Sequence, residues 1–451
     1  MTIKIDLPTL VAGVLFAVSA STSLAEASEP AGRGTQWVRS HPFTVNALTE
    51  FPVDMKTYKD VGFTSVMAYV TQGNPGYAEG LIGKTGLDWH WFCGGANTDN
   101  DQWVLQAVKE MRAKYPGNIG LSLGDETGSK TYPKLSKLLE QVRKLAPDAL
   151  VYHPVISIDG AACSPQSFSG TYDKYMDDVV NVLKPDVLMI DPYPFYRGGT
   201  APNYLENLAI TSEWALKARI PYWIWAQSHG MSPDGPFQEP SESEMRFQAY
   251  SALAYGYTGI SYWTYASAYK PYTNAMLDGN GVPTHMYKSA VGLVPELKIL
   301  GEQLKFMTST GVYYQPGGIY VDNQWVFPQP RGTTPWTPKI TPRFKAINVS
   351  DGVHGFLIGF FKTDAGEDYF MLVNTNHAAG KDAAATAGAV SIQFNFEVTK
   401  LERLNRQTGK VETINLCEHR LNQYVLPGGT GELFKFSTGK PFLISDKTTP
   451  K

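Results

Sequence analysis

Short runs of apolar, β-branched and aromatic residues alternate with amphipathic stretches over most of the first 310 residues. This alternation predicts strands that each lead into a helix, and therefore a parallel sheet. Eight such runs are present, which favours closure of the sheet into a barrel. The predicted strands are Phe43–Thr49, Phe63–Val70, Asp88–Cys93, Asn118–Glu126, Leu150–Ile158, Asp186–Asp191, Tyr222–Gln227 and Gly259–Tyr265.

The amphipathic stretches predict helices, several of which end at a proline or glycine that cannot continue a helix. The helices cover Asp101–Tyr115, Tyr132–Leu145, Tyr172–Leu183, Tyr204–Ala218, Ser241–Tyr255 and Pro283–Met307. Beyond about residue 310 the pattern changes to period-two alternation between turn residues, as in Gly355–Lys362, Asp368–Asn374, Val390–Phe396 and Glu432–Phe436. The sequence therefore predicts an α/β fold, a (β/α)8 TIM barrel over residues 28–309, followed by a smaller all-β sandwich domain over residues 310–451.

The first residues have the pattern of a signal peptide. Lys4 supplies a positive charge, and the apolar stretch from Leu7 to Val18 is too short to span a bilayer. Small residues then lead to two suitable cleavage positions, Ala25 and Ala27. We assign residues 1–27 to the signal peptide, with an uncleaved anchor as the alternative. A secreted or periplasmic mature chain with no membrane partner is expected.

Composition narrows the function further. A net charge of -3 and a pI near 6.3 argue against a nucleic-acid partner, because phosphate binding needs a basic surface. The histidines and cysteines show no CxxC or HExxH spacing, so no metal site and no cofactor are predicted. One disulfide between Cys93 and Cys163 would suit an exported chain. Aromatic residues make up 12%, which suits stacking on sugars as well as ordinary packing.

The end of the fourth strand carries two acids, and barrel active sites lie at the C-terminal ends of the strands. In Ile119–Gly124 apolar residues alternate with glycine or serine. The apolar residues are predicted to face the helices. The small residues are predicted to face the barrel axis and to leave room there. Glu126 shares the inner side, and we expect it at the barrel mouth. A solvated strand-end acid or a helix cap is the alternative. Asp125 has the opposite parity and is either a binding residue or structural.

The sixth and seventh strands also end in polar residues. Asp191 ends the sixth strand, and Tyr193 lies two residues further along. Asp191 either forms part of the wall of the substrate site or bonds its own backbone in an Asx-type turn. The seventh strand ends in Gln227 and not in an acid, and His229 lies two residues further along.

On the eighth strand, Trp263 and Tyr265 share the parity of two small residues, Gly259 and Ser261. This pattern predicts that both rings point into the cleft floor, where they would stack on a sugar. A packing role is the alternative for Trp263.

The eight-strand layout, the Gly-Asp-Glu ending at Glu126, the Asp-Pro-Tyr-Pro that begins at Asp191 and the aromatic end of strand eight resemble clan A glycoside hydrolases. The chain is most similar to secreted β-galactosidase-like and agarase-like barrels that carry a trailing β-sandwich. The resemblance implies that Glu126 is the acid/base glutamate, usually preceded by asparagine, whose place Asp125 takes here. It also implies a nucleophilic glutamate at the end of strand seven. Gln227 stands there, and an amide cannot act as that nucleophile.

Glycoside hydrolysis needs an acid and a second carboxylate. We therefore expect a secreted glycosidase that cleaves an oligo- or polysaccharide, with Glu126 as the acid and Asp191 as its partner. Surrounding rings and Asp125 would raise the pKa of Glu126. The expected sugar-binding residues are Asp125, Tyr193, Gln227, His229, Trp263 and Tyr265. Other candidates for the second carboxylate are Glu50, Asp159, Asp234 and Glu239, whereas Glu242 and Glu244 begin a helix and are expected to be caps.

Two other functions compete with this one. A catalytically silent barrel that binds glycans would explain the missing acid on strand seven, and a barrel hydrolase for a non-sugar substrate is the third. The β-domain is expected to pack on the barrel and stabilise it, with polysaccharide binding as the alternative. The aromatic segment from Trp325 to Trp336 is expected to lean over the barrel.

Overall fold

Eight parallel strands close into a barrel. The computed structural model describes residues 31–83, 85–94, 99–163, 170–231, 235–266, 274–321 and 324–443. Around the barrel the strands follow the order β1-β8-β7-β6-β5-β4-β3-β2, so the last strand pairs with the first. All eight predicted strands and the predicted fold class are confirmed. The strands are β1 (Thr44–Thr49), β2 (Val66–Tyr69), β3 (Trp89–Cys93), β4 (Asn118–Leu123), β5 (Leu150–Ile156), β6 (Leu188–Asp191), β7 (Tyr222–Gln227) and β8 (Gly259–Ala266).

Helices connect the strands on the outside of the barrel. The predicted helices Tyr132–Leu145 and Tyr204–Ala218 occur with the predicted bounds, and the predicted helix Tyr172–Leu183 is a short α-helix continued by a π-helical turn, Val179–Leu183. The helices are α1 (Arg33–Ser40), α2 (Met55–Asp60), α3 (Asp101–Lys114), α4 (Tyr132–Leu145), α5 (Ile158–Cys163), α6 (Tyr172–Asp178), α7 (Tyr204–Ala218), α8 (Glu242–Tyr255) and α9 (His285–Leu304).

The barrel interior is a packed core in which large rings lie against glycines. A Cβ atom on Gly120 would lie 1.9 Å from Nδ1 of His90, and one on Gly259 would lie 2.6 Å from the Trp223 ring. The small residues of β4 and β8 therefore make room for side chains of the neighbouring strands. The space expected at the barrel axis below Glu126 is filled, as is usual for this type of barrel.

Antiparallel strands follow the barrel and form two packed sheets. One sheet has the order β9-β13-β14-β19-β16-β17, the other has the order β12-β15-β18, and phenylalanines fill the core between them. The predicted sandwich is confirmed, and the predicted domain boundary after residue 309 falls within its first strand. The strands are β9 (Met307–Pro316), β10 (Ile319–Val321), β11 (Gln324–Val326), β12 (Phe344–Val349), β13 (Gly355–Thr363), β14 (Asp368–Asn374), β15 (Gly388–Phe394), β16 (Lys400–Leu404), β17 (Val411–Asn415), β18 (Arg420–Leu426) and β19 (Gly431–Phe436).

Helix α8 lies between the barrel and the larger sheet of the sandwich. Alternate residues of that sheet, among them Leu357, Met371 and Leu433, join the same core as the barrel and helix α8. The helix is buried on nearly every side, which explains why its sequence lacks a polar face. The β-domain thus packs on the barrel as expected from the sequence.

A buried ionic network crosses this junction. Glu296 of α9 accepts hydrogen bonds from Arg246 of α8 at 2.8 Å and from Arg406 of the β-domain at 3.2 Å. Arg406 also pairs with Glu432 on β19. Although burial favours the neutral acid, the hydrogen bond from Arg246 and the neighbouring positive charges hold the pKa of Glu296 below its usual value. The network therefore links helices of the barrel to the sandwich through ionised groups.

We expect Glu296→Gln to lower the free energy of unfolding by about 3 kcal/mol, because removal of one partner leaves buried charges uncompensated. Denaturant unfolding measures this loss. Glu213→Gln is the matched control, since Glu213 forms an exposed pair with Lys217 on α7 and its loss should change stability little. Equal effects of the two substitutions would contradict a stabilising role for the network.

Three further expectations concern the N-terminus, the cysteines and membrane-spanning segments. The proposed signal peptide, residues 1–27, lies outside the described residues. Cys93 is a free thiol buried on the outer side of β3, so the disulfide with Cys163 considered from the sequence is contradicted. Within the described ranges, every helix is too short or too polar to cross a membrane.

Candidate active site

The C-terminal ends of β4 and β6 bring three carboxyl groups together. After β4 the chain turns through Gly124, at φ +80°, and Glu126, at φ +46°. The left-handed conformation is uncommon for glutamate, and here the Glu126 N–H donates to the carbonyl oxygen of Pro154 on β5 at 3.2 Å. Asp191 is the last residue of β6 and is half-buried, whereas the side chains of Asp125 and Glu126 reach solvent.

The three acids share a site that disfavours negative charge. Asp125 and Glu126 contact solvent, yet the protein around them is dense enough to raise the pKa of Asp125 to about 6. The same dense surroundings, and then the charge of Asp125, raise the pKa of Glu126 to about 8. Burial and the like charges of Glu126 and Asp125 raise the pKa of Asp191 well above its usual range. All three carboxyl groups therefore hold their protons to higher pH than free acids do, and the expected rise in the pKa of Glu126 is confirmed.

Asp191 is held by a neighbouring tyrosine. Tyr193 donates a hydrogen bond to its carboxyl group, which favours the ionised form and opposes the other effects. The buried Oδ1 atom of Asp191 has no hydrogen-bond partner among the described residues. An acceptor in this state is available to a water molecule or a substrate hydroxyl.

Aromatic side chains lie beside the acids. Trp263 is half-buried, packs on the barrel-interior cluster and contacts Trp225 edge-on, with ring centroids 6.0 Å apart. Both the stacking role and the packing role that the sequence allowed are compatible with a half-buried ring, and the stacking role stays a prediction. Sequence reasoning missed Tyr69, whose pKa is raised by burial and by the charges of Glu50 and Asp125. Tyr69 is the last residue of β2, so inspection of every strand end would have found it.

Tyr265 does not reach the cleft, and the prediction that it stacks on a sugar is wrong. Its buried ring packs on the outer side of the barrel, 4.8 Å from Tyr58, and its hydroxyl lies 2.7 Å from Oγ1 of Thr57. The prediction assumed unbroken alternation along β8. The pairing of β8 with β1 shifts near its C-terminal end, where the peptide bond between Trp263 and Thr264 is cis.

Gln227 and His229 lie behind the cleft wall. Both are fully buried, so neither side chain is placed to contact a substrate in this structure. Burial lowers the pKa of His229 to about 4, and Nδ1 lies 2.8 Å from the carbonyl oxygen of Trp263. The His229 ring also supports Tyr193 edge-on at 5.0 Å. We therefore place both residues in the support of the site, and the expected sugar contacts are corrected accordingly.

Two alternative carboxylates are engaged elsewhere. Asp159 accepts a hydrogen bond from the Asn203 side chain at the start of the neighbouring helix. Glu239 accepts one from Nδ2 of Asn274 at 2.6 Å. The third alternative, Asp234, lies outside the described residues.

The remaining acids fall into two groups. Glu50 lies near Tyr69 on the same rim. Glu244 forms a capping box with Ser241 at the start of α8, which confirms its expected role, and Glu242 pairs with Arg246 one turn later. Glu126, Asp191 and Asp125 are thus the acids whose charges act on one another.

A cavity of about 520 Å³ lies between the barrel and the β-domain. Its lining includes Tyr204, Arg331 and His377 but no carboxylate, so it is distinct from the acidic site. Arg331 pairs with Glu206 of α7 at 2.6 Å, which places the aromatic segment against the barrel as expected. Among the described residues, no group of three or more His, Cys, Asp or Glu side chains is arranged to hold a metal ion.

No protein-family model and no curated protein matches the chain. Among solved structures, a glycoside hydrolase aligns over 89% of this chain and 94% of its own, with 12% identity and a TM-score of 0.48. The α-L-arabinofuranosidase from Thermotoga maritima, in complex with arabinose, aligns over 87% and 96%, with 9% identity and a TM-score of 0.48. The β-galactosidase from the psychrophilic Marinomonas ef1 aligns over 58% of this chain, with 11% identity and a TM-score of 0.40. The chain spans 61% of that enzyme's length. The function is therefore inferred from the residues of the site.

Proposed function

We propose that the protein is a glycoside hydrolase whose catalytic pair is Glu126 and Asp191. The observation that carries this proposal is the coupled pair itself. At the C-terminal ends of β4 and β6, the charge of Glu126 raises the pKa of Asp191, and the pKa of Glu126 is itself raised to about 8, so both groups bind protons more tightly than free acids do. Hydrolysis of a glycoside needs one protonated and one ionised carboxyl group at the same time.

Each group then has a defined role. Glu126 donates its proton to the glycosidic oxygen as the bond breaks, since its raised pKa keeps it protonated near pH 7. In the proposed reaction Asp191 is the partner that gives up its proton. The hydrogen bond from Tyr193 favours that ionised form, although burial and the neighbouring acids raise the pKa of Asp191. Asp191 either attacks the anomeric carbon or activates a water molecule. Trp263 and Tyr69 provide aromatic surfaces beside the acids, suited to the apolar face of a sugar ring.

The release of reducing ends from a panel of plant, algal and microbial glycans tests the proposal. The expected result is cleavage of at least one glycan by the wild type, with Glu126→Gln as the inactive comparison. The buried amide at the end of β7 favours one competing function, a silent glycan-binding barrel. Binding of an oligosaccharide that is never cleaved would support that function and reject the hydrolase.

We expect Asp125→Asn to move the alkaline limb of the kcat/KM profile to lower pH, by roughly half a unit. Asp125 is ionised above about pH 6 and its charge then holds the proton on Glu126. Without that charge Glu126 loses its proton at lower pH, so activity falls sooner as pH rises. The profile is measured with a soluble aryl glycoside. Asp148→Asn is the control, because Asp148 pairs with Arg112 at the opposite end of the barrel. An unmoved limb in Asp125→Asn would exclude this coupling.

We also propose that the mature chain is secreted or periplasmic. The charged, apolar and small-residue pattern of residues 1–27 supports export. Mass spectrometry of the mature N-terminus in the source cell tests this, with processing after Ala25 or Ala27 as the expected result. An intact Met1 on cytoplasmic protein would reject export.

A further inference from the structure

The side chain of Gln227 holds the backbone of the segment that follows Asp191. Its Oε1 atom accepts a hydrogen bond from the Phe195 N–H at 2.9 Å. Its Nε2 atom donates to the carbonyl oxygens of Gln238 at 2.9 Å, and of Phe195 and His229 at 3.2 Å each. Every polar atom of this buried amide is therefore used by backbone groups of two loops at the barrel mouth.

Gln227 is itself held by a second amide. Its own N–H donates to Oε1 of Gln248 on α8 at 2.8 Å, and Nε2 of Gln248 donates back to the Gln227 carbonyl oxygen at 2.7 Å. Both glutamines are fully buried. The position of the Gln227 side chain is thus fixed from the helix layer.

The segment between Asp191 and Phe195 transmits this constraint. Asp191 is fixed at one end by pairing of β6 with β5, and Phe195 is fixed at the other end by Gln227. Pro192 and Pro194 lie between them, and each restricts φ to a narrow range. The two ends and the two prolines leave few conformations for Asp191 and Tyr193.

Only an amide satisfies the chemistry at position 227. A side-chain amide offers a donor and an acceptor at once, as the Phe195 backbone requires. A carboxylate would place a negative charge against the carbonyl oxygens of Phe195, His229 and Gln238. A hydrocarbon would leave the Phe195 N–H and the carbonyl oxygens of His229 and Gln238 without this partner, while the Phe195 carbonyl oxygen would keep the Gln238 N–H at 3.2 Å.

We propose that Gln227 is a positioning residue, which fixes Asp191 and Tyr193 at the barrel mouth by holding the backbone of Phe195. Its effect on turnover rests on the proposed hydrolase function, whereas its effect on the segment does not. The amide at the end of β7 is therefore a component of the site's support and not a nucleophile that has been lost.

Amide hydrogen exchange of the peptide that spans residues 191–196 tests the proposal in the folded protein. In Gln227→Met, which is similar in size but cannot form these hydrogen bonds, exchange of this peptide should rise about tenfold. Asn118→Leu is the matched control. Asn118 is a buried amide that donates to Gly120 and accepts from Arg112 at the N-terminal end of β4, and its loss should leave the 191–196 peptide unchanged.

Kinetics give the second measurement. Displacement of Asp191 should lower kcat of Gln227→Met about 10- to 100-fold, with a smaller change in KM. The alkaline limb should move to lower pH, because displacement of Asp191 weakens its charge interaction with Glu126, which raises the pKa of Asp191 in the wild type. Asn118→Leu, a structural loss alone, should not move that limb. Gln227→Glu should also lower kcat.

Three outcomes would overturn the proposal: unchanged exchange of the 191–196 peptide in Gln227→Met, an equal rise in Asn118→Leu, or a higher kcat in Gln227→Glu. If Gln227→Met does not fold, Gln248→Met acts on the same amide one step away, and unchanged exchange in that variant rejects the proposal. A wild type that cleaves no glycoside rejects the hydrolase function, while the exchange experiment still decides the role of Gln227.

Discussion

Glu126→Gln should lower kcat/KM for glycosides with poor leaving groups about 10²- to 10⁴-fold, because glutamine cannot donate the proton that the departing oxygen needs. The loss should be much smaller for a dinitrophenyl glycoside, whose leaving group departs without protonation. This dependence on the leaving group separates a missing acid from a general disturbance of the site. Steady-state kinetics with a series of aryl glycosides measures it.

The substitution should not destabilise the fold at neutral pH. The raised pKa of Glu126 shows that the site already favours the neutral side chain, which glutamine resembles. Glu140→Gln, on the exposed surface of α4, is the isosteric control and should keep full activity. If Glu126→Gln retained more than about a tenth of wild-type activity on unactivated substrates, Glu126 would not be the acid.

Asp191→Asn should reduce turnover by about 10²-fold or more for activated and unactivated substrates alike, since the ionised partner is needed whatever the leaving group. The same variant should be more stable than the wild type. Asp191 has a raised pKa in the folded state, so its contribution to stability is greatest below its unfolded pKa of about 4 and is lost as pH rises towards the folded pKa. Asparagine has no charge and avoids this loss. The stability of Asp191→Asn relative to the wild type should therefore increase between pH 4 and neutral pH.

Asp186→Asn gives the opposite sign and is the sharpest control. Asp186 is also buried and lies just before β6, but it accepts hydrogen bonds from Arg143 at 3.1 Å and from the Val151 N–H at 2.7 Å. Its substitution should therefore lower the melting temperature, whereas Asp191→Asn raises it. Thermal unfolding at pH 5 and pH 7 shows both effects. A lower melting temperature for Asp191→Asn at pH 7 would mean that its charge is stabilised after all.

The barrel could be predicted from the sequence because strand and helix periodicity repeats eight times with clear breakers. Tyr222–Gln227 was predicted with its observed bounds for this reason. The rule that barrel sites lie at strand ends selects Glu126 and Asp191 as candidates from the sequence. To apply that rule one needs only the number of strands and the direction of the chain in each. Both follow from the alternation of strand and helix patterns along the sequence.

The orientation of individual side chains could be predicted less well. Tyr265 was placed in the cleft because parity was extended through a part of β8 where pairing shifts. Gln227 and His229 have the right position along the chain, but their partners come from loops distant in sequence, such as the segment around Phe195. Alternation along one strand contains no information about such partners, so their burial could not be inferred.

The burial of α8 on both of its faces has a consequence for how this protein can be divided. A barrel cut free of its β-domain would expose the buried apolar side of that helix and would lose Arg406, one of the two arginines that pair with Glu296. The barrel and the β-domain are therefore not independent modules. Moving either of them into another protein would require a redesign of the buried surface of α8.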